Sequence, residues 1–259
     1  MSAAARPVVA SSATQAISPA RVRNLRIALI AALLIGWEVL SMSGLLVREV
    51  VPSLQAIAKA LWLLVGSGEF WSHMGLTASE IGLALLIGGT SGLAVGILLG
   101  ANRFLSQAFE SLLLYLGPTP KIIFFPVMIM WFGVGPGSKI AMGVLSSFFP
   151  IAISAAAGMR QINPVLIRVG HSFRASAWQM TTKIYLHAMR EPVINGIRLG
   201  MGVAVVGTLL AETKLSNKGL GYLVIQAYSL FDMPRMYALV IVLFVLAIGA
   251  NALLGRLRR

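Results

Sequence analysis

The chain contains no cysteine, so disulfides and thiolate metal sites are both closed to it. Charge is scarce as well, at 11% of residues, and only eight carboxylates are present. These are Glu38, Glu49, Glu69, Glu80, Glu110, Glu191, Glu212 and Asp232, and no two form a close pair in sequence. His73, His171 and His187 are too dispersed for a metal-ligand cluster, and no H-E-x-x-H occurs. A G-x-x-x-x-G-K-[ST] loop is missing, which excludes the usual grip on a nucleotide, and so is a G-x-S-x-G elbow. The chain is therefore not expected to be an enzyme on its own, or to carry a metal or cofactor. What it has in quantity is apolar: 58% hydrophobic residues and a mean hydropathy of +0.85. A soluble domain of this length needs more polar surface, so lipid must be the solvent for much of it. The apolar runs are continuous and near twenty residues, unlike the alternation of barrel strands. The expected class is all-α and polytopic. The net charge of +13 comes from basic residues scattered between apolar spans rather than gathered in one domain, so nucleic acid is not an expected partner.

Six spans follow. Residues 1–20, rich in Ala, Ser and Pro, read as a disordered tail, and the tail domain extends to residue 24. Arg21, Arg23 and Arg26 precede an apolar stretch to about Gly44, too long for a signal-peptide core and so a retained first span. The others are Ile81–Asn102, Ser111–Gly135, Ile140–Met159, Val193–Ala211 and Met236–Gly255. Within them the only basic residues are Lys121 and Arg198. With the N-terminus inside, thirteen Lys and Arg fall on the cytoplasmic side. Six fall outside: Arg48, Lys59, Lys139, Lys214, Lys218 and Arg235. That asymmetry predicts both termini in the cytoplasm.

Two segments between spans carry helical patterning. After Pro52, Ser53 is placed to cap a helix in which Leu54, Ile57, Leu61, Leu64 and Val65 recur at helical spacing, with Gly66 ending it. It should lie at the outer interface. The loop 160–191 is too long for a passive connection. Ile167, Phe173, Trp178 and Ile184 give it the apolar content of short amphipathic helices.

Charges inside spans are costly and usually have a role. Glu38 is either hydrogen-bonded to a neighbouring helix or part of a transport path. Lys121 is either a snorkelling or paired lysine or a gating residue. For Glu212, at the end of the fifth span, a structural hydrogen bond and a gate are both open readings. Around Lys121 stand Pro118, Pro120 and Pro126. Each removes a backbone donor and clashes with the preceding turn, so the third span should be kinked or interrupted and should line the interior.

At this point the motifs resemble a family. The P-K-I-x-x-x-P-V-x-I-x-W-F-G-V-G block (Pro120–Gly135), F-F-P-I (Phe148–Ile151), N-G-I-R-L (Asn195–Leu199), A-E (Ala211, Glu212) and G-L-G-Y-L (Gly219–Leu223) occur in one order. Together they are similar to permease subunits of bacterial ATP-binding-cassette importers of the nitrate/sulfonate/taurine type, over about residues 25–257. The resemblance implies a multi-pass inner-membrane subunit with the type I importer permease fold. It implies a homodimeric pore in membrane lipid, an extracytoplasmic solute-binding protein, and ATPase subunits docking on the loop between spans four and five. In the family that loop carries E-A-A-x3-G-x9-I-x-L-P. Here the aligned positions are Arg168, Val169, Gly170, Arg174, Ile184, Leu186 and His187, with Ala175 and Ser176 completing the docking segment. The acid, the turn glycine and the proline of the pattern are thus Arg168, Arg174 and His187. A glycine supplies a turn that a β-carbon strains, so Arg174 should adopt another conformation or shift the turn. Pro118, Pro120, Lys121, Pro126 and Glu212 are the pore or gating candidates. The competing class is a secondary transporter driven by an ion gradient, for which Glu38 is a thin basis and no convincing internal repeat is visible.

Overall fold

Ser18 and Pro19 start the first helix, α1 (Pro19–Met42): the Ser18 hydroxyl accepts the Arg21 N–H at 3.3 Å, and proline fits the first turn. A computed structural model describes residues 18–44 and 50–256. Most of the expected tail (1–17), together with Arg48, Arg258 and Arg259 of the charge count, lies outside the described residues. Residues 19–24, placed in the tail from sequence, are helical because that cap precedes them. The remaining helices are α2 (Leu54–Gly66), α3 (Gly68–Ala101), α4 (Arg103–Leu116), α5 (Phe125–Phe132), α6 (Pro136–Arg160), α7 (Pro164–Ser172), α8 (Ala177–Gln179), α9 (Leu186–Ala188), α10 (Arg190–Lys214), α11 (Leu220–Ser229) and α12 (Met233–Arg256). A 3₁₀ turn (Lys121–Phe124) precedes α5, and a π-helical turn (Met180–Tyr185) joins α8 to α9. Among the described residues five helices are long and apolar enough to cross a membrane, or six if α4 and the Lys121–Phe132 segment form one broken span.

The chain divides into two units, residues 1–55 and 56–259. In the first, Glu38 accepts the Leu54 N–H at 2.9 Å. A carboxylate at the start of α2 satisfies an orphan donor and opposes the positive end of the helix. Trp37 Nε1 and Ser41 Oγ donate to the Pro52 and Val51 carbonyls at 3.0 and 2.9 Å. Of the two readings of Glu38, the structure shows the hydrogen bond.

The second unit is built on α6, which packs between α3 and α10. Both flanking helices meet it through small residues at helical spacing. On α3 these are Ala84, Gly88, Gly92, Gly96 and Gly100; on α10 they are Gly196, Gly200, Ala204, Gly207 and Ala211. A β-carbon on Gly92 would stand 2.8 Å from the Phe148 carbonyl oxygen, and one on Gly100 2.8 Å from that of Ala156. On the other side, a β-carbon on Gly207 would be 3.1 Å from the Met142 carbonyl oxygen. Apolar helices gain nothing by leaving lipid, so van der Waals contact at such close approach has to hold them together. Ala152, Ala155 and Ala156 of α6 accordingly are 0 to 1% exposed.

α3 is 34 residues long, about 50 Å at the helical rise, and so overruns the hydrocarbon core. The sequence started this span at Ile81 because Glu80 ends the uncharged run, yet the helix continues back to Gly68. The third span is interrupted, as its prolines require: its two arms meet at 94°. Pro118 and Pro120 lie in the break, whereas Pro126 stands in the first turn of α5, where a missing N–H costs nothing. Gly133, at φ +75°, ends α5 in a left-handed conformation.

Adding a methyl at Gly92 (Gly92→Ala) presses on backbone and is expected to cost about 1–3 kcal/mol. Gly82→Ala, whose β-carbon meets nothing within 4 Å, is expected to leave stability unchanged or slightly raised. Thermal unfolding of both variants in detergent measures the difference.

Candidate functional site

At the end of α10 the chain turns back on itself around one carboxylate. Glu212 is 1% exposed. Its Oε1 accepts from Thr77 Oγ1 and its Oε2 from the Gly221 N–H, both at 2.6 Å. Thr77 Oγ1 accepts in turn from the Leu220 N–H at 2.8 Å, and His73 Nδ1 from the Gly219 N–H at 2.8 Å. Two residues of α3 and one of α10 thus bind the three N–H groups that open α11. The start of a helix leaves such donors unsatisfied, and a carboxylate is their strongest acceptor. Gly219 has φ +106°, and a β-carbon on Gly221 would lie 2.7 Å from Glu212 Cβ. Both glycines are therefore required by the carboxylate they surround.

Two more charged groups are enclosed here. Glu80 and Lys139 are 2% and 1% exposed. Lys139 Nζ donates to the Leu215 carbonyl at 2.8 Å and to that of Val134. The loop before α6 and the loop after α10 are thereby held on one ammonium. Lys139 is in electrostatic reach of Glu80 and Glu212, which lie against each other. Glu80 Oε2 and Thr208 Oγ1 have no hydrogen-bond partner. The sequence counted Lys139 among the outer-side basic residues; it is buried, because two carbonyl and two carboxyl groups converge on it.

Lys121 donates to the carbonyls of Gly117 and Thr119 and stands 5.3 Å above the Phe149 ring. Its ammonium thus fills acceptors that the proline break leaves open.

The segment after α6 forms a helical hairpin. Arg160 holds Glu110 of α4 with both guanidinium nitrogens at 2.7 Å. α7 then runs to Ser172 and closes with two backbone bonds, Arg174 N–H to the His171 carbonyl at 2.9 Å and Ala175 N–H to the Gly170 carbonyl at 3.0 Å. This is a Schellman closure, whose pivot is a left-handed residue, most often glycine. The pivot here is Arg174, at φ +52°. The expectation that Arg174 would change conformation or shift the turn is corrected: the turn is kept, and the side chain is carried at a cost of about 1 kcal/mol. Ser176 and Gln179 form a capping box on α8. Gly170 is where α7 meets the second arm, since a β-carbon would run into Met180 and Ile184. His187 Nδ1 lies 3.0 Å from the Thr182 carbonyl oxygen. Phe173 and Trp178 are 83% and 75% exposed.

The family described as "Binding-protein-dependent transport system inner membrane component" matches residues 92–259. This chain belongs to that family. The taurine transport system permease protein of Escherichia coli is 29% identical over 243 residues, 90% of this chain and 88% of that one. The riboflavin transport system permease protein of Chloroflexus aurantiacus is 29% identical over 228 residues, 88% and 85% of the two chains. A chain from the inward-facing conformations of the MetNI methionine ABC transporter shares the fold, with a TM-score of 0.65 and 19% identity over 76% of this chain and 94% of that one.

The protein is therefore the permease subunit of a binding-protein-dependent ABC importer, a multi-pass component of the inner membrane. ATP hydrolysis belongs to a separate subunit, and a solute-binding protein is its other partner. The resemblance to nitrate/sulfonate/taurine-type permeases holds. Two of its motifs, A-E and G-L-G-Y-L, are brought together: Glu212 and Gly219–Gly221 form one bonded unit. Thr77, Glu80 and Lys139 complete that unit, and sequence reading missed them. Thr77 and Glu80 are three apart, on one face of a helix, which was the available signal. Of the remaining candidates, Arg168–Ser176, Ile184, Leu186 and His187 lie on the hairpin, Pro118, Pro120 and Lys121 at the break, and Pro126 in the first turn of α5.

Removing Lys139 leaves two carboxyl groups enclosed without a cation. Lys139→Met is expected to destabilise the permease by about 3–5 kcal/mol, and Glu80→Gln added to it to recover part of the loss. A double-mutant cycle on thermal unfolding measures that coupling.

Proposed function

We propose that the permease works as a homodimer with both termini in the cytoplasm, moving a small anionic or organic solute such as taurine, another sulfonate or nitrate. Its ATPase docks on the hairpin 160–191. The observation that carries the docking assignment is the outer face of that hairpin. Arg168, Val169, Phe173, Arg174 and Trp178 are exposed on it, and neither arginine has an ion-pair partner among the described residues. Large aromatic groups exposed outside the spans call for a protein partner. Gly170 and Ile184 lie where the two arms meet and Leu186 is half-buried in α9, while Ala175 closes the turn through its backbone, Ser176 caps α8 and His187 bonds at the far end. On this reading ATP binding closes the ATPase pair, and the rigid hairpin carries the motion into α6 and α10, which it joins. The pathway then switches from inward-facing to outward-facing. The excess of Lys and Arg on one side supports the orientation, and the family resemblance supports the homodimer. The prolines and Lys121 at the break would border the pathway; Glu212, enclosed within one chain, would brace it.

Co-purification with the ATPase subunit tests the docking. Deletion of residues 165–176 is expected to abolish it, and Arg174→Glu to weaken it about tenfold. Arg174→Gly should keep docking and raise the melting temperature, because glycine takes the left-handed pivot without strain. If the deletion and Arg174→Glu both left binding and uptake intact, the assignment would be wrong. Uptake in vesicles that needs a proton gradient but no ATPase would favour the secondary-transporter class instead.

A further inference from the structure

The permease is equally similar to a taurine and a riboflavin permease, each at 29% identity, so similarity leaves the solute's chemistry to the chain itself. One side chain carries information about it. Arg198 lies on α10 about 12 Å from the helix start, counting eight residues at the helical rise. That places it within a span, where an arginine facing lipid is costly and one facing a cavity or a partner is not. It borders an open cavity of about 420 Å³ lined by Asn195, Arg198, Leu199 and Asn251. Its Nε donates to Asn251 Oδ1 at 3.0 Å, which fixes the plane of the guanidinium. The two terminal nitrogens of that fork have no hydrogen-bond partner among the described residues. The amide groups of Asn195 and Asn251 add further donors, and no carboxylate lines the cavity.

We infer that Arg198, Asn195 and Asn251 form a binding station for a small oxyanion on the translocation path. A planar fork held at one nitrogen and open at the other two matches two oxygens of a sulfonate, nitrate or carboxylate. A carboxylate from a second copy is a poor alternative. Among the described residues, Glu110 is taken by Arg160, Glu69 by Arg235 and Glu38 by Leu54, while Glu80 and Glu212 are enclosed. Asp232 accepts the Arg235 N–H, and Glu191 has an interaction of its own. An anionic lipid headgroup has the same chemistry as the solute and is separated by experiment. The inference rests on the transport reading above.

The test uses the permease assembled with its ATPase in nanodiscs of phosphatidylcholine alone, with methanesulfonate as the probe and sodium chloride at equal ionic strength as the control. Methanesulfonate is expected to raise the melting temperature. Arg198→Gln should shift the concentration required upward by about tenfold or more, and Arg198→Lys, which keeps the charge without the fork, should fall between. Asn195→Asp, which sets a negative charge beside the cavity, should weaken the response comparably and carries the test if Arg198→Gln fails to assemble. The station is overturned by no methanesulfonate effect, or by an effect that all three variants leave unchanged. It is also overturned if only added phosphatidylglycerol stabilises through Arg198, which makes the site a lipid contact. Failure of the unmutated permease to bind its ATPase sinks the transport reading instead, whatever methanesulfonate does.

Discussion

Helices in a bilayer are not driven together by water, so everything in the second unit depends on how closely three of them can approach. α6 is gripped from both sides by helices that present glycine and alanine every fourth residue or so. At several of those positions glycine lies directly against main chain, as Gly92 does on the Phe148 carbonyl and Gly100 on that of Ala156. Such a contact is stiff: it can be kept or broken, but it cannot yield gradually. The sandwich therefore acts as the fixed frame against which the break near Lys121 and the hairpin after Arg160 are positioned.

The frame is closed at one end by charge rather than by packing. Glu212, Thr77 and His73 take the N–H groups that begin α11, and Lys139 takes carbonyls from two separate loops. Enclosed ions of this kind seldom add net stability compared with apolar groups of the same size. They do choose one arrangement of loops over others, since each polar atom is served only in that arrangement. Apolar packing alone would let the α10–α11 connection settle in several ways.

The spans were legible because runs with little or no charge are long and few, and each is helical apart from the break in the third. The interruption of the third was legible because three prolines leave no other outcome. The limits of the spans were not. Glu80 and Lys139 ended runs that the helices continue, since a charge met by an opposite charge inside the fold is permitted where hydropathy counting forbids it. The small-residue stripes went unread for a different reason: glycine contributes almost nothing to hydropathy, and its value lies in a neighbour that only the fold supplies. At Arg174 the sequence pointed to a changed turn, yet backbone bonds from Arg174 and Ala175 outweigh the strain of one side chain.

That last balance separates two properties of the hairpin. Its turn is closed by main-chain groups alone, so the shape offered to a partner owes nothing to the side chains at 168, 171 and 174. Charge on this surface can therefore be rewritten, from acid to base, without refolding the element that carries it. On the docking proposed above, such a change would keep the same lever while altering which ATPase it fits, and two importers in one membrane would stay insulated from each other by sign of charge.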